Sequence, residues 1–159
     1  MIKKLCMALS IAIGLYGTIL GGIAISTTTF SPLSAHAQGE NDDSVQLLAR
    51  CVNGEARGEP YAGQVAVAAV ILNRVEHPSF PDTLSGVIYQ PGAFTAVNDG
   101  QINVPIDPAS TVYQACQDAM NGWDPSNGAI YYYNPAKTTN QWIYSREVIG
   151  KIGNHLFAQ

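Results

Sequence analysis

A small α+β domain, helices first and a short β element toward the C-terminus, is the fold class this sequence predicts, and three observations predict it. Residues 60–75 (PYAGQVAVAAVILNRV) are apolar on nearly every helical face, the pattern of a helix at the centre of a core. Residues 44–53 and 107–121 each carry a single apolar stripe at helical spacing. From residue 129 the period changes, and short stretches rich in Tyr, Ile and Trp replace the stripes. The 159 residues allow one domain, and 47% hydrophobic against 13% charged residues excludes a mostly disordered chain.

Residues 1–37 are expected to be an export signal. Lys3 and Lys4 supply the positive start, residues 5–25 are apolar and uncharged, and Ala35-His36-Ala37 fits small-x-small cleavage before Gln38. The apolar run is about as long as a spanning helix requires, so an uncleaved anchor is the rival. Gly14, Gly17, Gly21 and Gly22, with the cleavage site, favour removal. The protein is then secreted to the wall or periplasm, with no membrane attachment after cleavage. Only two of the eight Lys and Arg residues precede residue 38, so six basic side chains face twelve acidic ones beyond it, a formal charge of −6. That balance disfavours nucleic acid and bulk attraction to anionic polymers.

Residues 38–43 read as a short polar linker whose acidic end suits a helix N-terminus, and residues 44–159 as the domain proper. The first helix is expected over 44–53, burying Val45, Leu48, Ala49 and Val52 and stopping near Gly54, with Glu55 just past its end. Pro60 suits the first turn of the second helix, which reaches Val75. Residues 77–82 carry two prolines and form a loop, and 83–89 can be a short helix. Residues 90–106 read as loops around Pro91-Gly92 and Asn98-Asp99-Gly100, with room for a small hairpin. Asp107-Pro108 looks like an N-cap and N1 pair opening a third helix that ends at Asn121-Gly122 and buries Val112, Ala115, Cys116 and Ala119. Residues 129–134 and 141–144 are expected as two strands. Cys51 and Cys116 remain once the signal is removed, and an even pair in an exported protein points to a disulfide, with two separate buried thiols as the alternative.

Composition removes several chemistries. Beyond the signal only His77 and His155 remain, without HExxH or paired-cysteine spacing, so no metal site is expected. Both cysteines fall inside apolar stripes, where a thiol is inert, and there is no G-x-S-x-G elbow or phosphate loop. Carboxylate chemistry is left, which glycosidic bond cleavage can use. Glu55 and Glu59 straddle two glycines between helices. A partly desolvated Glu55 would hold its proton more tightly and could act as a general acid near neutral pH. On spacing alone Glu55 is equally readable as a solvated loop residue, and Glu59 as favouring the start of the second helix.

Four stretches carry a family resemblance: GEARGEPYAGQVAVAAVILNRV from Gly54, FPDTLSGVIYQPGAFTAVNDGQIN from Phe80, AMNGWDPSNGAIYYYNPA from Ala119 and WIYSREVIGKIGNHLF from Trp142. They lie within residues 47–157, which resemble the catalytic domain of SleB/CwlJ-type cell-wall hydrolases, the spore cortex-lytic enzymes of germination. The resemblance implies a lysozyme- and lytic-transglycosylase-like fold and cleavage of peptidoglycan glycan strands between N-acetylmuramic acid and N-acetylglucosamine. It implies Glu55 as the essential acid, no cofactor, and a monomer whose partner is the glycan strand. Lytic transglycosylation needs one carboxyl, whereas hydrolysis needs a second, for which Glu59 and Asp99 are the candidates. A wall-binding module without catalysis is the other alternative. The separate peptidoglycan-binding domain that precedes the catalytic one in SleB-type proteins is not expected here, which leaves cortex and vegetative wall both open.

A sugar groove is expected with that activity. Tyr132, Trp142 and Tyr144 can offer flat faces to pyranose rings, the last two on one face of a strand, or can equally close the core. Thr95, Asn98, Asp99 and Gln101 can bond sugar hydroxyls and acetamides or merely satisfy turn backbone. His155 reads as a structural histidine rather more than as a ligand, and Arg74 and Arg146 as partners of stem-peptide carboxylates or of buried acids.

Overall fold

The computed structural model of this protein describes residues 32–159, so most of the expected export signal lies outside the described residues. Five α-helices are followed by a small sheet: α1 (Pro32–Ala56), α2 (Tyr61–Glu76), α3 (Leu84–Ile88), α4 (Thr95–Asn98), α5 (Thr111–Met120), then β1 (Tyr131–Tyr133), β2 (Val148–Ile152) and β3 (His155–Ala158). The strands lie antiparallel in the order β1-β3-β2. The α+β class therefore holds.

α2 is the axis of the core. Every residue from Gly63 to Ile71 is buried, as its all-round apolar sequence requires. α1 and α5 pack against it and against each other, with Leu48, Val52, Val112 and Ala115 on the facing stripes. Full burial of Val65, Val67, Val70 and Ile71 contributes about 1.5–3 kcal/mol each. At its C-terminal end, buried Arg74 joins α2 to β1. Its Nε donates to the Ile130 carbonyl at 2.7 Å, and its guanidinium lies against the Phe80, Phe94 and Tyr131 rings.

Several elements differ from the sequence reading. Residues 38–43 belong to α1 rather than to a linker, and α1 runs through Gly54 to Ala56. Gly54 is a point of close approach, not a helix stop: a Cβ there would stand 2.5 Å from the Ala96 Cβ. α5 starts at Thr111, because Ser110 is the cap whose hydroxyl accepts from Tyr113 N–H, while Asp107 closes its own turn on Ala109 N–H. Residues 90–106 hold α4 and a 3₁₀ turn, Gln101–Asn103, with no hairpin. Residues 141–144 are not a strand but lie in a 3₁₀ turn, Gln141–Ser145, capped by the Asn140 side chain.

Cys51 and Cys116 are a further correction, since both are free thiols with no bridge between them. Each is fully buried, and burial pushes the Cys116 thiol up to about 12 and the Cys51 thiol higher still. They act as small core hydrophobes of α1 and α5, the role a protonated thiol fills well.

Candidate active site

Glu55 occupies the last turn of α1, half-buried, at a place built by three distant segments. The bare Cα of Gly54 lets α4 come close, and the Ala96 N–H at its start donates to Glu55 Oε1 at 3.1 Å. From the sheet, the Tyr132 hydroxyl donates to the other oxygen, Oε2, at 3.2 Å. A main-chain donor and a phenol thus hold the carboxyl in one orientation. Burial, followed by the neighbouring Glu55 charge, pushes the Tyr132 phenol well above its ordinary value, so it stays protonated and can both donate and accept.

A continuous groove passes over this carboxyl. Its middle, about 490 Å³, is lined by Glu55, Thr95, Tyr132 and Lys137 among others. On one side it merges, through Glu55, Asn134, Lys137 and His155, with a polar cavity of about 450 Å³ reaching Arg57, Glu59 and Asn154. On the other it merges, through Arg74, Tyr132 and Thr138, with a cavity of about 300 Å³ reaching Tyr131 and Trp142. The groove therefore has a polar arm, a central carboxyl and an aromatic arm, a form suited to an extended chain of rings.

Glu59 sits in the polar arm but is occupied. Its Oε2 accepts from Asn154 N–H at 2.8 Å and its Oε1 from Asn154 Nδ2 at 3.1 Å, in the tight β2–β3 turn. Burial raises the tendency of this carboxyl to hold a proton, but those two bonds, with the charges of His155 and Lys137, outweigh it and hold its pKa below the ordinary value. Glu59 is thus an ionised brace for the hairpin. The His155 ring is buried edge-on to Tyr132, its Nδ1 4.0 Å from Glu59 Oε1 and without a hydrogen bond. Burial lowers its pKa against the pull of Glu59 and Glu55, which keeps it neutral at neutral pH.

The structure brings Glu55, Thr95 and Tyr132 together at the centre, with Glu59 in one arm and Trp142 in the other. Asp99 and Gln101 lie outside these cavities: Gln101 N–H and Nε2 bond the exposed Asp99 carboxylate, and Gln101 Oε1 accepts from Arg57. They serve the turn after α4. Trp142 stands edge-on to Tyr131 with the Arg146 guanidinium 4.3 Å from its ring centre. Tyr144 packs on Tyr133 and donates to the Pro135 carbonyl, so the two aromatics share no strand face. Arg74 serves rings and the Ile130 carbonyl, and Arg146 serves rings; among the described residues neither makes an ion pair with an acid. Nothing in the sequence singles out Asn134 or Lys137, and His155 reads there as structural before ligand. Gly153-Asn154 between Ile152 and His155 is a two-residue hairpin signal that could have placed β2 and β3, and with them His155. Among the described residues, no group of three or more His, Cys, Asp or Glu is placed to hold a metal ion, and no helix is long and apolar enough to cross a membrane.

The family described as Cell Wall Hydrolase matches residues 58–158, a match that begins three residues past Glu55. The spore cortex-lytic enzyme of Bacillus cereus is 56% identical over 121 residues, which cover 76% of this chain and 46% of that protein. The cell wall hydrolase CwlJ of Bacillus subtilis is 30% identical over 130 residues, covering 72% of this chain and 84% of that protein. The chain thus spans a little under half the length of the cortex-lytic relative. The solved catalytic domain of the germination-specific lytic transglycosylase SleB from Bacillus anthracis aligns with a TM-score of 0.70 and 56% identity, over 73% of this chain and 93% of that domain. The catalytic domain of the Bacillus cereus SleB protein aligns with a TM-score of 0.70 and 50% identity, over 87% of this chain and 99% of that one.

Proposed function

This chain belongs to the Cell Wall Hydrolase family, and from that premise we propose that it cleaves peptidoglycan glycan strands outside the cytoplasm as a lytic transglycosylase, with Glu55 as acid and then base. One observation carries the reading: Glu55 lines both adjoining cavities with each of its oxygens positioned, while among the described residues no second carboxylate lining them is without a hydrogen-bond partner. Glu59 is tied to Asn154 and Asp99 to Gln101.

The two donors also assign the oxygens. Ala96 N–H can only donate, so Oε1 stays an acceptor and the transferable proton belongs on Oε2. There the Tyr132 hydroxyl accepts while Oε2 is protonated and donates once it is ionised. Oε2 gives its proton to the glycosidic oxygen as the bond to the muramic anomeric carbon breaks through an oxocarbenium-like transition state. The muramic C6 hydroxyl oxygen then bonds that carbon, and its proton returns to Oε2. Glu55 is regenerated, no water is consumed, and a 1,6-anhydro end results.

Mass spectrometry of peptidoglycan digested by the protein tests this. Anhydro ends are about 18 Da lighter than reducing ends, because no water is added. Reducing ends alone would sink the transglycosylase step while leaving Glu55 as the acid. Glu55→Gln should bind strands and release no muropeptides; a fully active Glu55→Gln protein overturns the assignment.

A further inference from the structure

Beyond residue 37 the chain holds six Lys and Arg against twelve Asp and Glu, yet its cations gather at the groove. Arg57, Arg74 and Lys137 line the cavities around Glu55, and Arg146 stacks on Trp142 at the end of the aromatic arm. Three of these have visible duties: Arg74 bonds the Ile130 carbonyl, Arg57 bonds Gln101, and Arg146 covers Trp142. Lys137 differs. It lines both the central and the polar cavity, and its ammonium makes no hydrogen bond or ion pair with a described residue.

The turn that carries Lys137 is rigid. Its own N–H and that of Thr138 both donate to the Asn134 carbonyl, at 3.0 and 2.9 Å, and Ala136 N–H donates to Asn134 Oδ1 at 2.9 Å. The backbone that carries the cation is therefore held in place beside the groove, while the lysine stem keeps its own rotamer freedom. The Glu59 charge is felt by Lys137, but no hydrogen bond or ion pair joins the two side chains. Both Glu59 oxygens are engaged by Asn154, and His155 is neutral. A cation with no direct partner beside Glu55, in a chain that is acidic elsewhere, suits an anion on the substrate.

We propose that Lys137 receives a carboxylate of the muramic unit, so that the groove selects strands carrying an ionised group next to the bond cleaved at Glu55. The inference rests on the glycan-cleavage reading above and names its substrate class. The carboxylate has two sources, the lactyl group of muramic acid itself or the stem peptide attached to it, and both present the same chemistry to an ammonium group.

Binding to the Glu55→Gln protein separates this from catalysis. Three probes are titrated: strands bearing stem peptides, strands stripped of peptide so that the lactyl carboxylate is free, and an uncharged N-acetylglucosamine hexasaccharide. Adding Lys137→Met should weaken binding of a carboxylate probe about fivefold and leave the hexasaccharide unchanged. Lys137→Arg should restore binding. The advantage of the charged probes should also shrink as salt brings the screening length below about 10 Å. A loss confined to peptide-bearing strands assigns the stem carboxylate, and a loss on stripped strands assigns the lactyl group. Equal loss on the hexasaccharide, no loss on any probe, or failure of every carboxylate probe to bind overturns the proposal. Lys137-dependent binding by a protein whose wild type cleaves no strand would instead remove the proposed function and keep this subsite.

Discussion

Replacing Gly54 by alanine adds one methyl group to the last turn of α1, where an ideal Cβ stands 2.5 Å from the Ala96 Cβ and 3.3 Å from its Cα. Carbon contacts are most favourable from about 3.5 Å, so α4 must retreat by about 1 Å. A retreat along the Ala96 N–H direction opens the 3.1 Å bond to Glu55 Oε1 to about 4 Å, past hydrogen-bonding range. Two effects on stability oppose each other: alanine gains about 1 kcal/mol over glycine in a helix interior, and overpacking costs about 1–3 kcal/mol. The variant should therefore fold, destabilised by at most about 2 kcal/mol. Activity should suffer more, since a hydrogen bond to a charged group contributes about 1.5–3 kcal/mol, on the order of 10- to 100-fold in rate. Turbidity loss of a peptidoglycan suspension measures the rate, and thermal unfolding measures the stability. Adding Ala96→Gly to Gly54→Ala removes the clashing methyl and should recover most of the rate. Full activity in Gly54→Ala, or no recovery in the double variant, would refute the claim that the approach of α4 orients Glu55.

Glu59→Gln leaves one acceptor oxygen for two Asn154 donors, so it should lower the unfolding temperature by a few degrees at pH 7. The folded pKa of Glu59 lies below its ordinary value of 4.5, so its contribution is present above that value and lost as pH falls through the folded one; the gap between wild type and variant should close in acid, and a widening gap contradicts the bracing role. Alkylation mapped by mass spectrometry should leave Cys51 and Cys116 unmodified in the native protein and modify both after unfolding without reductant; protection of the pair in the unfolded chain would restore the bridge. Arg74→Met strands the Ile130 carbonyl and should cost about 2 kcal/mol or more, with hydrogen exchange in β1 accelerated relative to α5. Equal acceleration in both would mean that Arg74 does not act through the strand.

The sequence by itself determined α2, the short helix α3 and the existence of α1 and α5, because each is encoded within a few residues. An all-apolar run of helical length allows no position but the core, and Thr83 caps α3 by accepting from Gly86 N–H three residues on. It also marked Glu55, through the GEARGEP stretch and by leaving carboxylates as the usable chemistry. What it could not encode locally it misplaced. Gly54 looks like a helix stop, since glycine is a poor helix former, yet α1 keeps it because α4, far along the chain, must come close. Trp142 and Tyr144 alternate as in a strand, yet Asn140 caps a 3₁₀ turn and sends each to a different ring. The two cysteines satisfied the rule for exported proteins, but packing uses them as thiols. The site itself was decided by tertiary structure alone. Tyr132 reaches Glu55 across 77 residues and Asn154 reaches Glu59 across 95, and both meetings depend on how the sheet seats along α2. Helix and turn signals act over about four residues, whereas the Glu55 carboxyl is oriented by whatever the packed core carries to it from the rest of the chain.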